Sequence, residues 1–405
     1  MRSIYQVFLF DVVAKTMLIV SAMGTIRYMT EGEYAKYTLA LSLVGFISQT
    51  LASSFNIIYI VGGRGPEPEP SPSSFLGFQV LVVSLIGIIF LPVVFAGHWI
   101  MGLVFSLVFA GTLSDFSKTY YQKDLKFLRY SAIELARTAT FIIAFVLLVA
   151  YIRHGLKAWH VLLLQAGALT AIFLAAFYSK IQGSQFWNIH ESWALARRIW
   201  KGKQRYLLGY FSALALFSQM DVFILRFLSS DFELAAYGSA LRYYMFLLLA
   251  LGAVHAVLLP TMSRKMEVEE LNGVIRQFRR TLLLIVPVII FGAWASRWII
   301  PWIDQGKYPS AVLLFRILSV SAVVSFVFSP YVNLVLRFEE YSFLFQTILV
   351  GLLLSATLNY ALIDRYGAIG AAVSNLLSFG IVNALLYWRA HRLLHDPNRY
   401  PSNAP

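Results

Sequence analysis

The residues able to do chemistry in this chain are ionisable side chains set inside long apolar runs. Asp11 and Lys15 stand four apart in the first run, one helical turn apart on one face, with acid preceding base. Asp221 lies deep in a later run, with Arg226 five residues on. Arg242 enters the following run beside Tyr243 and Tyr244, Arg316 enters another, and Arg27 closes the first. A charge in hydrocarbon is costly, so such groups face a partner or an aqueous cavity. Each therefore has two readings. Asp11 and Lys15 form an internal pair, or line a cavity where a proton or ion arriving at Asp11 frees Lys15 for an anionic headgroup. Asp221 carries a coupling proton or sodium ion, or is a structural partner of Arg242. Arg242 and Arg316 offer forked donors that suit phosphate groups, or are long side chains snorkelling to an interface. Arg27 is an interface anchor that could meet a solute at the exit. Tyrosines such as Tyr243 stack well on sugar faces, although most of the 22 belong to the core or the interface.

Catalytic constellations are missing from the sequence. It has no Asp-x-Asp pair, no His-Glu-x-x-His and no Gly-Lys phosphate loop, and His98, His154, His160 and His255 are dispersed without ligand spacing. With no cysteine, thiolate chemistry is excluded.

The elements that must position these groups follow from composition. Of 405 residues, 59% are hydrophobic and 13% charged, against about 25% charged in a soluble domain. Lipid is the solvent for much of such a chain. Apolar runs of about twenty residues predict about twelve transmembrane helices, at 6–28, 37–61, 75–97, 98–116, 131–152, 159–180, 206–229, 236–260, 281–300, 311–335, 342–363 and 368–391. These runs are continuous rather than alternating, which excludes a strand barrel. The net charge of +13 sits in short loops. With the N-terminus placed in the cytoplasm, most of the 33 Lys and Arg fall on the inner side, so the charge sets topology and implies no nucleic-acid partner. Both termini are then cytoplasmic. Cleavable secretion signals are shorter than the first run and rarely hold an Asp and a Lys.

The sequence also repeats itself. Residues 33–41, EYAKYTLAL, match 233–241, ELAAYGSAL, and Arg153-His154-Gly155 matches Arg365-Tyr366-Gly367. Both pairs precede equivalent spans, the second and eighth and then the sixth and twelfth. Six helices therefore recur in the same orientation, a parallel pseudo-twofold repeat. The expected organisation is an N-terminal six-helix bundle over 1–183, a connector over 184–205 and a C-terminal six-helix bundle over 206–405. In the connector Phe186, Ile189, Trp193 and Trp200 can share one helical face ahead of a cluster of cations, which reads as an amphipathic helix on the cytoplasmic surface with anionic membrane lipids as its partner.

Residues 219–262, with Asp221, Ala235, Tyr237 and Pro260, together with 308–375, with Tyr308-Pro309-Ser310-Ala311, Asn359 and Tyr366-Gly367-Ala368-Ile369-Gly370-Ala371-Ala372, resemble the polysaccharide and O-antigen flippase family. That family lies in the multidrug/oligosaccharidyl-lipid/polysaccharide exporter superfamily, and residues 27–56 echo it in the first half. The resemblance implies an all-α integral membrane protein, V-shaped around a central cavity that opens to each side in turn. It implies translocation of a polyprenyl-pyrophosphate-linked oligosaccharide across the bacterial inner membrane, with polysaccharide polymerase machinery as a downstream partner. No cofactor is expected, and a proton or sodium ion is the candidate coupling species. Two other readings stand beside it: a cation-coupled multidrug exporter of the same superfamily, and a membrane polysaccharide polymerase or ligase, which would need larger external loops. The peptidoglycan-precursor branch carries two additional helices, which the runs here do not supply.

Overall fold

A computed structural model of the chain describes residues 13–395, apart from 15–16, 18–20, 62–70, 96–98, 124–125, 153–154, 182–188, 203 and 264–267. Asp11 and Lys15 lie outside the described residues. The described chain is helical, with a single isolated backbone bridge between Met29 and Leu156. After a helical stretch at 21–28 the elements are α1 (Glu31–Val61), α2 (Pro72–Phe95), α3 (Ile100–Lys123), α4 (Phe127–Ile152), α5 (Ala158–Ile181), α6 (Ile189–Lys201), α7 (Gln204–Phe217), α8 (Met220–Leu228), α9 (Asp231–Ser263), α10 (Val268–Asp304), α11 (Ala311–Arg337) and α12 (Tyr341–Leu394). Among the described residues eight stretches are long and apolar enough to cross a membrane, so the protein is a multi-pass membrane protein.

Three of the expected spans take a different form. The run at 206–229 is not one helix: α7 stops at Phe217 and α8 starts at Met220, with a turn at Ser218 and Gln219. α12 spans 54 residues. A straight helix of that length would run about 80 Å, far more than the ~30 Å hydrocarbon layer. It folds back at Gly367, whose φ of 55° and ψ of −134° suit glycine. Gly370 then passes so close to the Leu362 carbonyl that an added Cβ would sit 2.2 Å from its oxygen. The two expected spans 342–363 and 368–391 are the two arms of this element.

The chain forms two compact units, Met1–Ala215 and Leu216–Pro405. In the first, an aromatic core joins α1, α2 and α3: the Tyr59 ring lies 5.0 Å from Phe75 and 5.6 Å from Phe116. Inside it Gln79 Nε2 donates to Asn56 Oδ1 at 2.9 Å, a buried amide contact between α1 and α2. In the second unit, Leu258 of α9, Phe278, Leu282 and Ile289 of α10, and Phe326 of α11 form one apolar cluster. The opposite faces of the peripheral helices stay bare. α4 exposes Ile143, Val146 and Leu147, and α10 exposes Leu283, Leu284, Val288 and Ile290. Apolar stripes of this extent require lipid against them.

Candidate functional site

The polar centre of the second unit is built around Asp221. The break before α8 places this acid in a first helical turn, where backbone N–H groups favour negative charge. Its side chain is only 2% exposed. The Val222 N–H donates to Oδ1 at 2.9 Å, Asn375 Nδ2 donates to Oδ2 at 3.3 Å, and the Tyr237 hydroxyl donates to the same oxygen. Tyr237 comes from α9 and Asn375 from the second arm of α12, so three helices converge on one carboxyl, through neutral donors. Tyr244, two turns along α9 from Tyr237, is buried as well. Arg226, the neighbour along the sequence, is turned to Asp231. The carboxyl is thus a buried ionisable group enclosed by neutral donors.

A clamp sits beside it. The Glu233 Oε2 accepts the Ala368 N–H at 2.7 Å, just past the Gly367 fold. Any Cβ at Gly367 would come within 2.8 Å of that same oxygen. The first unit holds a matching joint. There Glu33 accepts the Ala158 N–H at 2.9 Å, after Gly155, which has φ 87°. One turn beyond Glu33, the Tyr37 hydroxyl accepts from Gln165 Nε2 at 3.0 Å. Gln165 stands seven residues beyond Ala158, as Asn375 does beyond Ala368. The counterpart of Asp221 at the same spacing is Ser21, a buried serine. Burial raises the Glu33 carboxyl, but the Lys36 ammonium and the Ala158 N–H outweigh it and hold the group below its usual range.

The arginines occupy a second region of the same unit. Arg242 is half-buried on α9 and Arg316 half-buried on α11. The residues next to them, Tyr243 and Phe315, meet ring to ring at 6.1 Å, so the two cations stand at one level on packed helices. Arg316 Nε donates to the Ala293 carbonyl at 3.0 Å, which fixes its guanidinium. Tyr243 itself is buried. Arg27 is exposed at the end of the 21–28 stretch.

Some of this was outside the reach of sequence reasoning. Tyr237 and Asn375 were legible as a repeated tyrosine and an intramembrane amide, but nothing in the sequence paired them with Asp221. Glu134 was not singled out at all. It accepts from Lys118 at 2.7 Å and pairs with Arg137, while Asp115 lies 3.5 Å from Lys118. The four form a charge-balanced tie between α3 and α4. Its signal was present as two cations and two acids near the ends of consecutive spans.

The protein has the fold of polytopic membrane flippases and exporters of known structure. It matches the solved structure of the lipid II flippase MurJ in an inward closed conformation, with a TM-score of 0.73 and 14% identity over 95% of this chain and 87% of that one. A mutant of the Vibrio cholerae MATE transporter VcmN gives 0.65 and 14% identity over 99% of each chain. An inward-facing multidrug resistance MATE family transporter of the MOP superfamily gives 0.67 and 10% identity over 96% of each. No curated protein sequence matches. The family of membrane proteins described as polysaccharide biosynthesis protein matches residues 80–313, more than half of the chain, and the protein belongs to that family.

Proposed function

We propose that the protein is a flippase that carries a lipid-linked oligosaccharide, on a polyprenyl pyrophosphate, across the bacterial inner membrane by alternating access, with both termini in the cytoplasm. The halves 1–183 and 206–405 are the alternating elements and 184–205 their connector. The observation that carries this reading is the pair of half-buried arginines, Arg242 and Arg316, held at one level of the second unit. Guanidinium groups match phosphate geometry, and a pyrophosphate accepts forked hydrogen bonds from two of them. Lys15 and Arg27 would add charge along the path, and Tyr243 would hold Arg242 in place through its contact with Phe315. Family membership supports a role in surface polysaccharide synthesis, in which polymerase machinery would consume the product outside.

The coupling ion, a proton or sodium, would act at Asp221, with Asp11 as the second candidate. The buried carboxyl of Asp221 also favours a second reading, a cation-coupled multidrug exporter, since that chemistry needs an intramembrane acid. Binding assays with a lipid pyrophosphate and with a cationic dye separate the two. The decisive experiment depletes the protein in cells and follows lipid-linked glycans on the inner leaflet. One of them accumulates if the proposal holds, and none accumulates if it is wrong. In purified protein, Arg242→Ala should weaken headgroup binding roughly ten- to a hundredfold, the worth of a charged hydrogen bond. Unchanged affinity would remove Arg242 from the path.

A further inference from the structure

α6 presents two faces that call for different neighbours. Ser192, Leu195 and Ile199 are buried on one side, and Leu195 and Ile199 enter the aromatic core of the first unit. The helix is pinned to the start of α2: Ser74 Oγ donates to Glu191 Oε2 at 2.6 Å, Ser71 Oγ to the same oxygen at 3.3 Å, and Ser192 Oγ to the Ser74 carbonyl at 3.1 Å. At about 100° per residue, Trp193, Arg197, Trp200 and Lys201 fall on the opposite stripe, and all four are exposed. Trp193 is 53% and Trp200 70% exposed. The Arg197 guanidinium lies over the Trp193 ring at 5.9 Å.

We propose that this outer stripe is a docking face for anionic phospholipid headgroups of the leaflet that borders α6, with Trp193 and Trp200 seated at headgroup depth and Arg197 and Lys201 on the phosphates. Three observations select lipid over other occupants. α6 lies in sequence between the candidate membrane spans Ala158–Ala176 and Arg205–Leu228, the second made of α7 and α8, so it is held at the membrane surface. Its stripe mixes amphipathic tryptophans with cations, the combination that suits an anionic interface. The inner face is already used by the protein core, so the tryptophans are not a misplaced core. The pinning to α2 means that this surface moves as part of the first unit. The inference is independent of the substrate assigned above.

The chain has no cysteine, so Trp200→Cys gives one site for a nitroxide label on the full-length protein. Reconstituted in phosphatidylcholine vesicles of increasing phosphatidylglycerol content, the label should pass from contact with an aqueous relaxation agent to contact with oxygen dissolved in lipid. Replacing Arg197 or Lys201 with Gln should raise the phosphatidylglycerol fraction at half-change, each by about fivefold in apparent lipid affinity. Thermal unfolding of the same variants should stay unchanged, since neither residue is in the core. A label that remains in water at every lipid composition overturns the proposal. So does a label shielded alike in detergent and in both lipids, the result expected if a second protein chain covers the stripe. A shift that is insensitive to both cation substitutions also overturns it.

Discussion

The two units carry the same joint with two residues changed, Ser21 against Asp221 and Gln165 against Asn375. Both use a glutamate at the start of a long helix, Glu33 or Glu233, to accept the first N–H of a later helix at Ala158 or Ala368, after a glycine with positive φ. Both place a tyrosine one turn further on, Tyr37 or Tyr237, against an amide side chain seven residues beyond the alanine. In the first unit this ends as a neutral hydrogen bond between Gln165 and Tyr37. In the second, Asp221 stands between Tyr237 and Asn375 and gathers both donors. The lesson is physical. A neutral amide–hydroxyl contact carries no titratable charge, whereas a buried carboxyl does. Under the proposed function the first joint would be a strut and the second a switch.

The largest effect should come from removing the difference itself. Asp221→Asn keeps the shape and removes the charge, and its NH2 group replaces one of the two oxygens that accept from Val222, Tyr237 and Asn375. Translocation in reconstituted vesicles should fall by roughly ten- to a hundredfold and lose its dependence on the ion gradient, while Ser21→Ala in the matching position should leave both within a factor of about two. Equal losses from the two variants would erase the functional asymmetry.

Next come the glycines. Gly367→Ala adds a Cβ against Glu233 at a positive φ and should cost about 2–4 kcal/mol, read as a lower midpoint of thermal unfolding in detergent. Gly155→Ala also sits at positive φ, but its Cβ meets nothing within 4 Å, so about 1 kcal/mol is expected. Tyrosine removal should be smaller and again unequal. Tyr237→Phe deprives a buried carboxyl of a donor and should cost about 2 kcal/mol, whereas Tyr37→Phe loses one neutral hydrogen bond, about 1 kcal/mol.

The finest distinction is in pH. Glu33 has a folded pKa below its unfolded one, so its contribution is fully present above the unfolded value and is lost as pH falls through the folded one. Unfolding midpoints of wild type and Glu33→Gln should therefore differ at neutral pH and converge in acid. A difference that persists at the acid end would mean that the Ala158 contact does not depend on the charge of Glu33.

The sequence alone determined the solvent, the element type and most of the boundaries. Apolar runs of about twenty residues admit only helices in lipid, because backbone groups there must be satisfied within the segment. It also located Asp221, Arg242 and Arg316, since an ionisable residue in such a run stands out by type, and the family was readable from residues 219–262 and 308–375, in agreement with the match over 80–313. What it did not carry was partnership. Nothing in the run at 206–229 itself marks the break, which the structure places at Ser218 and Gln219. Whether Asp221 meets Arg242, Arg226 or Tyr237 depends on how α8, α9 and α12 pack, and a helical sequence specifies a face without naming what lies against it. Only the tertiary structure decided that the acid is held by neutral groups, that Arg226 turns away to Asp231, and that Glu33 and Glu233 close the same clamp 200 residues apart.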